Sequence, residues 1–210
     1  LLLPTCLLLH AQESPLFRWV PPAESGVDFT NMVIEDDTFN VTLFIYAYNG
    51  GGVAVGDLNG DRLPDLYFTG TRANSPNRLF LNQGGLRFRD ATRQAGLDDS
   101  VGVRYGVTMA DIDADGDLDI YVAKHDAPNT LFINNGNGTF SERARQFGLD
   151  FCCTSQQAAF FDYDRDGDLD IYLARNGDAK GEAFKRDGNP DHLFRNNGNG
   201  TFSDVSAEAG

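Results

Sequence analysis

Short apolar stretches alternate with glycine- and aspartate-rich turns along most of the chain. One unit contains Val53-Ala-Val55, Asp65-Leu-Tyr-Phe68, Leu79-Phe-Leu81 and Leu86-Arg-Phe88, all of strand length and rich in β-branched or aromatic residues. Glycines separate the last two stretches, which is typical of a β-hairpin. The pattern therefore predicts four short strands within a unit of about 52 residues.

The same unit recurs twice more along the sequence. The clearest copies begin at Asn77, Asn129 and Asp191, and each contains a Leu-Phe pair. A phenylalanine follows the turn in every copy, at Phe88, Phe140 and Phe202. Small repeated units bury their faces only against their neighbours, so we expect these phenylalanines to pack between units. The repeats predict an all-β fold made of β-propeller blades, each of four antiparallel strands.

The repeats suggest boundaries for the whole chain. Residues 1–11 are interpreted as a signal peptide remnant and residues 12–48 as an N-terminal lead-in segment. Three propeller repeats follow, at 49–100, 101–152 and 153–210, and the third is expected to be truncated. Propellers usually need about four to eight blades to close, so we expect the remaining blades to be missing from this chain. An insertion between Ala174 and Asp191 either varies a ligand-binding surface or is a tolerated loop.

The N-terminus and the cysteines bear on where the protein works. Leu1 to Ala11 resembles a secretory signal and is shorter than the roughly 20 apolar residues that span a bilayer. Cys6 could instead accept a lipid anchor, although the preceding residues fit that signal poorly. Both alternatives predict a secreted, periplasmic or cell-surface protein without an inserted membrane segment. Cys152 and Cys153 are adjacent, and because a bond would close a strained ring, we expect them to be unbonded.

The net charge of the chain excludes some classes of binding partner. The net charge is -14, from 31 acidic and 17 basic residues, which argues against nucleic acid and against an anionic membrane surface. The aspartates are concentrated in one nine-residue loop per repeat, between the first two predicted strands. Such clustering indicates cations as ligands.

The spacing within these loops favours calcium. The second loop is Asp111-Ile-Asp-Ala-Asp-Gly-Asp-Leu-Asp119 and the third is Asp162-Tyr-Asp-Arg-Asp-Gly-Asp-Leu-Asp170. Calcium takes about six to eight oxygen donors, and alternate residues of a tight turn can point at one ion, with position 7 donating its carbonyl. The first loop, Asp57-Leu-Asn-Gly-Asp-Arg-Leu-Pro-Asp65, has one neutral donor and Arg62 in place of glycine, so we expect it to bind most weakly.

We therefore predict about three Ca²⁺ ions per chain, one in each loop. The predicted ligands are Asp57, Asn59, Asp61, Leu63 and Asp65 in the first loop, Asp111, Asp113, Asp115, Asp117 and Asp119 in the second, and Asp162, Asp164, Asp166, Asp168 and Asp170 in the third. An EF-hand opens with a similar motif but needs a glutamate at position 12, where this chain has Phe68, Val122 or Leu173. Solvated acidic turns without metal are disfavoured because their carboxylates repel one another.

The loops and their flanking Gly-Val-Ala-Val-Gly-Asp and Asp-Ile-Tyr-Val strands resemble FG-GAP/VCBS repeats. Such repeats occur in integrin-α-like propellers and in cartilage-acidic-protein-like (ASPIC-type) proteins. The resemblance covers residues 49–210. It implies a seven-bladed, calcium-binding propeller outside the cytoplasm that serves recognition or cell adhesion.

Two functional classes remain after these observations. The first is a non-enzymatic recognition or adhesion module that binds an extracellular protein or glycan. The second is the propeller domain of a polysaccharide-degrading or other hydrolytic enzyme, whose active residues lie outside this chain. We favour the first because the aspartates are assigned to metal and because His192 takes a repeat position held by Arg78 and Thr130 in the other units.

Overall fold

The computed structural model describes residues 17–37, 39–42, 47–72, 74–175 and 190–210. The predicted signal peptide remnant with Cys6 and the insertion at 176–189 lie outside these ranges. The predicted lead-in segment is described in part.

The described chain contains three four-stranded antiparallel sheets, each made of consecutive strands. The first sheet consists of β1 (Val53–Gly56), β2 (Asp65–Phe68), β3 (Arg78–Asn82) and β4 (Phe88–Asp90). The second consists of β5 (Arg104–Ala110), β6 (Asp119–Lys124), β7 (Thr130–Asn134) and β8 (Phe140–Glu142). The third consists of β9 (Ser155–Phe161), β10 (Asp170–Arg175), β11 (His192–Asn196) and β12 (Phe202–Asp204). The predicted all-β fold of four-stranded propeller blades is confirmed, and we refer to the sheets as blades 1, 2 and 3.

The fourth strand of blade 1 differs from its sequence prediction. It begins at Phe88 rather than at Leu86. Gly84, Gly85 and Leu86 all have positive φ values, of 83°, 60° and 60°, so the chain is still in its hairpin turn at Leu86. Extended pairing starts only with Phe88, which lies opposite Asn82.

The helices are single turns at the edges of the blades. They are α1 (Pro22–Ser25), α2 (Thr92–Ala95), α3 (Ala144–Phe147) and α4 (Ser206–Ala209). The turns α2 and α3 each end at a left-handed glycine followed by a fully buried leucine, Leu97 or Leu149, which anchors the link to the next blade. Among the described helices, none is long or apolar enough to cross a membrane.

Alternating faces of the strands form two hydrophobic cores between neighbouring blades. Tyr67 and Leu79 of blade 1 pack with Ile120, Val122, Phe132 and Phe140 of blade 2. Tyr121 and Leu131 of blade 2 pack with Ile171, Leu173, Phe194 and Phe202 of blade 3. Fully burying one such side chain contributes roughly 1.5–3 kcal/mol, so adjacent blades stabilise each other. The predicted packing of Phe140 and Phe202 between blades is confirmed.

Phe88 does not share this environment. It is half-buried and lies outside both cores, because blade 1 has its neighbouring blade on its other face. The lead-in segment packs against this part of blade 1 instead. The ring of Phe29 stacks on that of Phe68 with centroids 4.9 Å apart, and Asn31 exchanges two hydrogen bonds with Thr71.

The expectation of unbonded adjacent cysteines is wrong in this structure, where Cys152 and Cys153 form a disulfide. Both residues lie in the loop between α3 and β9. They lie outside the strands, in which neighbouring side chains would point to opposite faces of the sheet.

Candidate metal loops

The three aspartate loops connect the first and second strands of each blade and share one hydrogen-bonding frame. In the second loop, the carboxylate of Asp111 accepts the backbone N–H groups of Asp115 and Gly116, both at 3.0 Å. Asp115 Oδ1 accepts the N–H of Asp117 at 2.9 Å. The equivalent bonds to positions 5, 6 and 7 are made by Asp57 and Asp61 in the first loop and by Asp162 and Asp166 in the third. The same spacing thus closes the same turn three times.

The bend of each loop depends on two left-handed residues, at positions 4 and 6. The φ values are 74° and 68° for Gly60 and Arg62, 60° and 98° for Ala114 and Gly116, and 67° and 97° for Arg165 and Gly167. Sequence reasoning found only position 6, where glycine is obvious in two loops. The first loop places its glycine at position 4 instead and follows the same path despite Arg62.

Three carboxylates converge in the second and third loops. One oxygen from each of Asp111, Asp113 and Asp115 lies within 4.8 Å of the others, and the same holds for Asp162, Asp164 and Asp166. Burial, followed by repulsion from Asp115 and Asp111, raises the pKa of Asp113. Desolvation, followed by repulsion from neighbouring aspartates, likewise raises the pKa of Asp164. Both clusters are therefore short of positive charge.

The first loop differs at its third position. Asn59 Nδ2 donates to Asp61 Oδ2 at 3.0 Å, and Asn59 Oδ1 accepts the N–H of Asp61 at 3.1 Å. The first loop thus has one carboxylate fewer than the other two, and the amide donates a hydrogen bond to one of those that remain. This geometry agrees with our expectation that the first loop binds most weakly, which stays a prediction.

The ninth-position aspartates have a structural role that sequence reasoning missed. Asp119 is fully buried, and its Oδ2 accepts the N–H of Ile112 while Oδ1 accepts the N–H of Asn134, both at 2.8 Å. Asp65 and Asp170 bond in the same way to Leu58 with Asn82 and to Tyr163 with Asn196. Each such aspartate is a latch that ties its loop to the third strand of its blade. The recurring asparagine at the end of that strand is the sequence signal for it.

Burial is the main cause of the raised pKa values of two latch aspartates, Asp119 and Asp65. It raises the pKa of Asp119 to about 6, with the Asp113 and Asp115 carboxylates adding to the increase and the two backbone hydrogen bonds opposing it. Burial likewise raises the pKa of Asp65. Because each carboxylate oxygen has two lone pairs, accepting one N–H leaves capacity for a second partner.

The side chains of the seventh-position aspartates, Asp117 and Asp168, point away from the carboxylate clusters. A Cβ atom added to Gly136, in the turn between β7 and β8, would lie 3.2 Å from Asp117 Oδ2, and Asp168 has the same relation to Gly198. These carboxylates therefore lie against the adjacent hairpin turns. In each loop the position-7 backbone remains beside the cluster, since the N–H of Leu63, Asp117 or Asp168 bonds to the fifth residue.

The donor set fits a hard divalent cation. The loops supply carboxylate, amide and carbonyl oxygens and contain no histidine or cysteine. Oxygen-only sites select calcium, magnesium or manganese over zinc or copper. Their flexible, multi-carboxylate form suits calcium better than magnesium, which demands near-ideal octahedral geometry.

Three consecutive blades, each with the same aspartate loop after its first strand, define a β-propeller repeat protein. The model of the FG-GAP-like repeat matches residues 57–122 and 111–173, segments that begin at the first aspartates of the first and second loops. The chain belongs to the family of FG-GAP-like repeat proteins, and the resemblance noted from its sequence is confirmed.

Related proteins include cartilage acidic protein 1 of Xenopus tropicalis, which is 32% identical over 170 residues. That match covers 77% of this chain and 26% of the relative. Human cartilage acidic protein 1 is 32% identical over 131 residues, covering 60% of this chain and 19% of the relative. The chain thus spans about a quarter or less of the relatives it matches.

A solved structure of an Agrocybe aegerita lectin, studied for its recognition of non-reducing terminal N-acetylglucosamine, also resembles the chain. The two are 22% identical, with a TM-score of 0.41. The match covers 73% of this chain and 37% of the lectin chain.

Proposed function

We propose that the chain is a calcium-binding propeller domain of a protein that works outside the cytoplasm. The observation that carries the proposal is the convergence of three carboxylates in the second and third loops. Asp111, Asp113 and Asp115 would hold the ion of the second loop, together with the carbonyl of Asp117 and the free lone pairs of Asp119. The corresponding residues would do so in the third loop. In the first loop, Asp57, Asn59, Asp61, Asp65 and the carbonyl of Leu63 form the reduced set.

The bound ion would supply positive charge where the folded chain has gathered negative charge. Each loop joins β1 to β2, β5 to β6 or β9 to β10, so repulsion within a loop loosens the strand pairing beside it. Neutralising that repulsion stiffens the loop. Calcium with a full oxygen shell has little Lewis-acid character left, so its role here is structural.

We further propose that this domain binds a protein or glycan and does not catalyse a reaction. Among the described residues, His192 pairs with a carboxylate, since its Nδ1 lies 2.7 Å from Asp204 Oδ2. The equivalent residues of blade 1, Arg78 and Asp90, form an ion pair of the same length. A pair that serves as a strand-end contact in another blade is better explained by stability than by acid–base chemistry.

Recognition should depend on calcium if the loops shape the binding surface. We expect the purified chain to bind members of a glycan and extracellular-protein array at about 1 mM calcium, a typical working range for extracellular modules, and to lose them in chelator. An Asp113→Asn/Asp115→Asn variant should lose affinity. The charge-matched Asp98→Asn/Asp117→Asn control should retain it, because Asp98 is exposed outside the loops and the Asp117 side chain lies against the adjacent hairpin turn. Binding that is unchanged by chelator would contradict a calcium-dependent recognition module.

A further inference from the structure

The first two metal loops are connected by a buried asparagine side chain. Asn134, at the end of β7, is 4% exposed. Its Nδ2 donates to the carbonyl of Leu118 in the second loop at 3.2 Å and to the carbonyl of Leu58 in the first loop at 3.0 Å. One amide group therefore bonds to the backbones of two loops in different blades.

These bonds belong to a continuous path between the loops. The N–H of Leu58 donates to the latch Asp65 of the first loop, and the C=O of Leu58 accepts from Asn134. The N–H of Asn134 donates to the latch Asp119 of the second loop, which in turn holds Ile112. Every group along this path is buried, so its hydrogen bonds are not exchanged for water at low cost.

A packing contact lies beside the path. A Cβ atom added to Gly56, the residue before the first loop, would come within 2.7 Å of Leu118 Cδ1. Leu118 belongs to the second loop and packs against the core between blades 1 and 2, which also contains Leu58. The two loops are therefore in van der Waals contact through Leu118.

The next pair of blades lacks the shared hydrogen bond. Asn196 is the equivalent of Asn134 in blade 3, and its Nδ2 donates to the carbonyl of Leu169 within its own loop at 3.3 Å. In the described structure, the Asn196 side chain makes no bond to Ile112 of the second loop, the counterpart of Leu58. Apolar packing persists there, because Leu169 contacts the core that contains Ile112. Asn196, whose Nδ2 bonds only to its own loop, is therefore a matched comparison for Asn134, which bonds to two loops.

We propose that Asn134 is a positioning residue shared by the first and second loops, and that it couples their binding of calcium. This inference rests on the proposed calcium sites. An ion in one loop fixes the carbonyl that Asn134 bonds, so the partner loop is already ordered when it binds its own ion. The coupling is positive and is strongest between the first and second loops.

A site-resolved double-mutant cycle tests the coupling. Backbone NMR can follow Gly60, Gly116 and Gly167 as separate reporters of the three loops during a calcium titration. Disabling the second loop with Asp113→Asn/Asp115→Asn is expected to weaken binding at the first loop by about 5-fold or more, the lower end of ordinary allosteric coupling. In an Asn134→Asp background, the same change should alter first-loop affinity by less than about 2-fold.

Asn196→Asp is the control, since it introduces the same buried charge without removing an interloop bond. The 5-fold effect should persist in that background. A second pair, Asn134→Thr and Asn196→Thr, repeats the cycle without added charge. In chelator, hydrogen exchange of the Leu58 amide should be faster in Asn134→Thr than in Asn196→Thr, a readout that needs no metal.

The outcomes separate the two proposals. If the unmodified chain binds no calcium at any loop, the proposed function fails and the coupling fails with it. If all loops bind calcium but disabling the second leaves the first unchanged, only the role of Asn134 is overturned. Equal coupling in the Asn134 and Asn196 variants would likewise overturn only the role of Asn134.

Discussion

Removal of calcium is expected to lower the stability of the protein by about 4 kcal/mol. A ligand that binds only the folded state contributes RT ln(1 + [L]/Kd), which is about 1.4 kcal/mol per site at ten times Kd. With three sites of this kind, the melting midpoint should fall by roughly 10 °C in a chain of this size. Melting curves in excess calcium and in EDTA measure the difference, and magnesium at equal concentration is the control.

The same comparison should depend on pH in a defined direction. The folded-state pKa of Asp119 is raised to about 6, above the value of about 3.9 for an unfolded aspartate. This carboxyl therefore stabilises the metal-free fold most below about pH 4, and the contribution is lost as pH rises through 6. Asp65 and Asp113 are shifted in the same direction.

The calcium form should respond in the opposite way, because protons compete with the ion for the carboxylates. Acidification from pH 7 to 5 is thus expected to raise the EDTA midpoint, to lower the calcium midpoint and to bring the two curves together. An EDTA curve that overlays the calcium curve at pH 7 would mean that the loops are not structural metal sites.

Replacing the buried latch should be nearly as damaging as removing calcium. Asp119→Asn is expected to lower the free energy of unfolding by roughly 3 kcal/mol in EDTA, where the loss of Asp119 as a calcium ligand does not contribute. An amide has one acceptor oxygen, so its NH₂ group must face the N–H of either Ile112 or Asn134, and that donor loses its partner in a buried site. Urea unfolding followed by tyrosine fluorescence measures the loss.

Asp117→Asn is the matched control for this prediction. It removes the same charge from the same loop, but among the described hydrogen bonds the Asp117 side chain accepts none. In the same EDTA buffer, its effect should stay within about 0.5 kcal/mol. Equal losses for the two variants would show that charge, rather than the latch, determines the stability of the loop.

The strands and the repeat were predictable because their signals are local. Alternating side chains, β-branched residues and glycine turns each depend on a few neighbouring positions, and three copies reinforced one another. The predicted start of the fourth strand of blade 1 was wrong for an equally local reason. Leu86 has a left-handed backbone conformation, so β4 begins two residues later, at Phe88. The aspartate spacing was equally local, and it led directly to the two carboxylate clusters.

The remaining features depend on distant contacts that spacing does not encode. The spacing predicts Asp119 only as a metal ligand, because the N–H of Asn134 that it binds becomes a neighbour only when β7 pairs with β6. The bond from Asn134 to Leu58 requires two blades to be docked. The packing of Phe29 on Phe68 joins the lead-in to a blade and likewise has no periodic signature.

Calorimetric titration with Ca²⁺ shows directly whether the aspartate loops are calcium sites. We expect three ions per chain with dissociation constants of roughly 0.1–1 mM, the range of extracellular modules. Asp113→Asn/Asp115→Asn and Asp164→Asn/Asp166→Asn should each remove one ion, and Asp57→Asn/Asp61→Asn should remove the weakest. If the folded chain takes up no calcium at millimolar concentration, or if its uptake is unchanged in all three variants, the aspartate loops are not calcium sites.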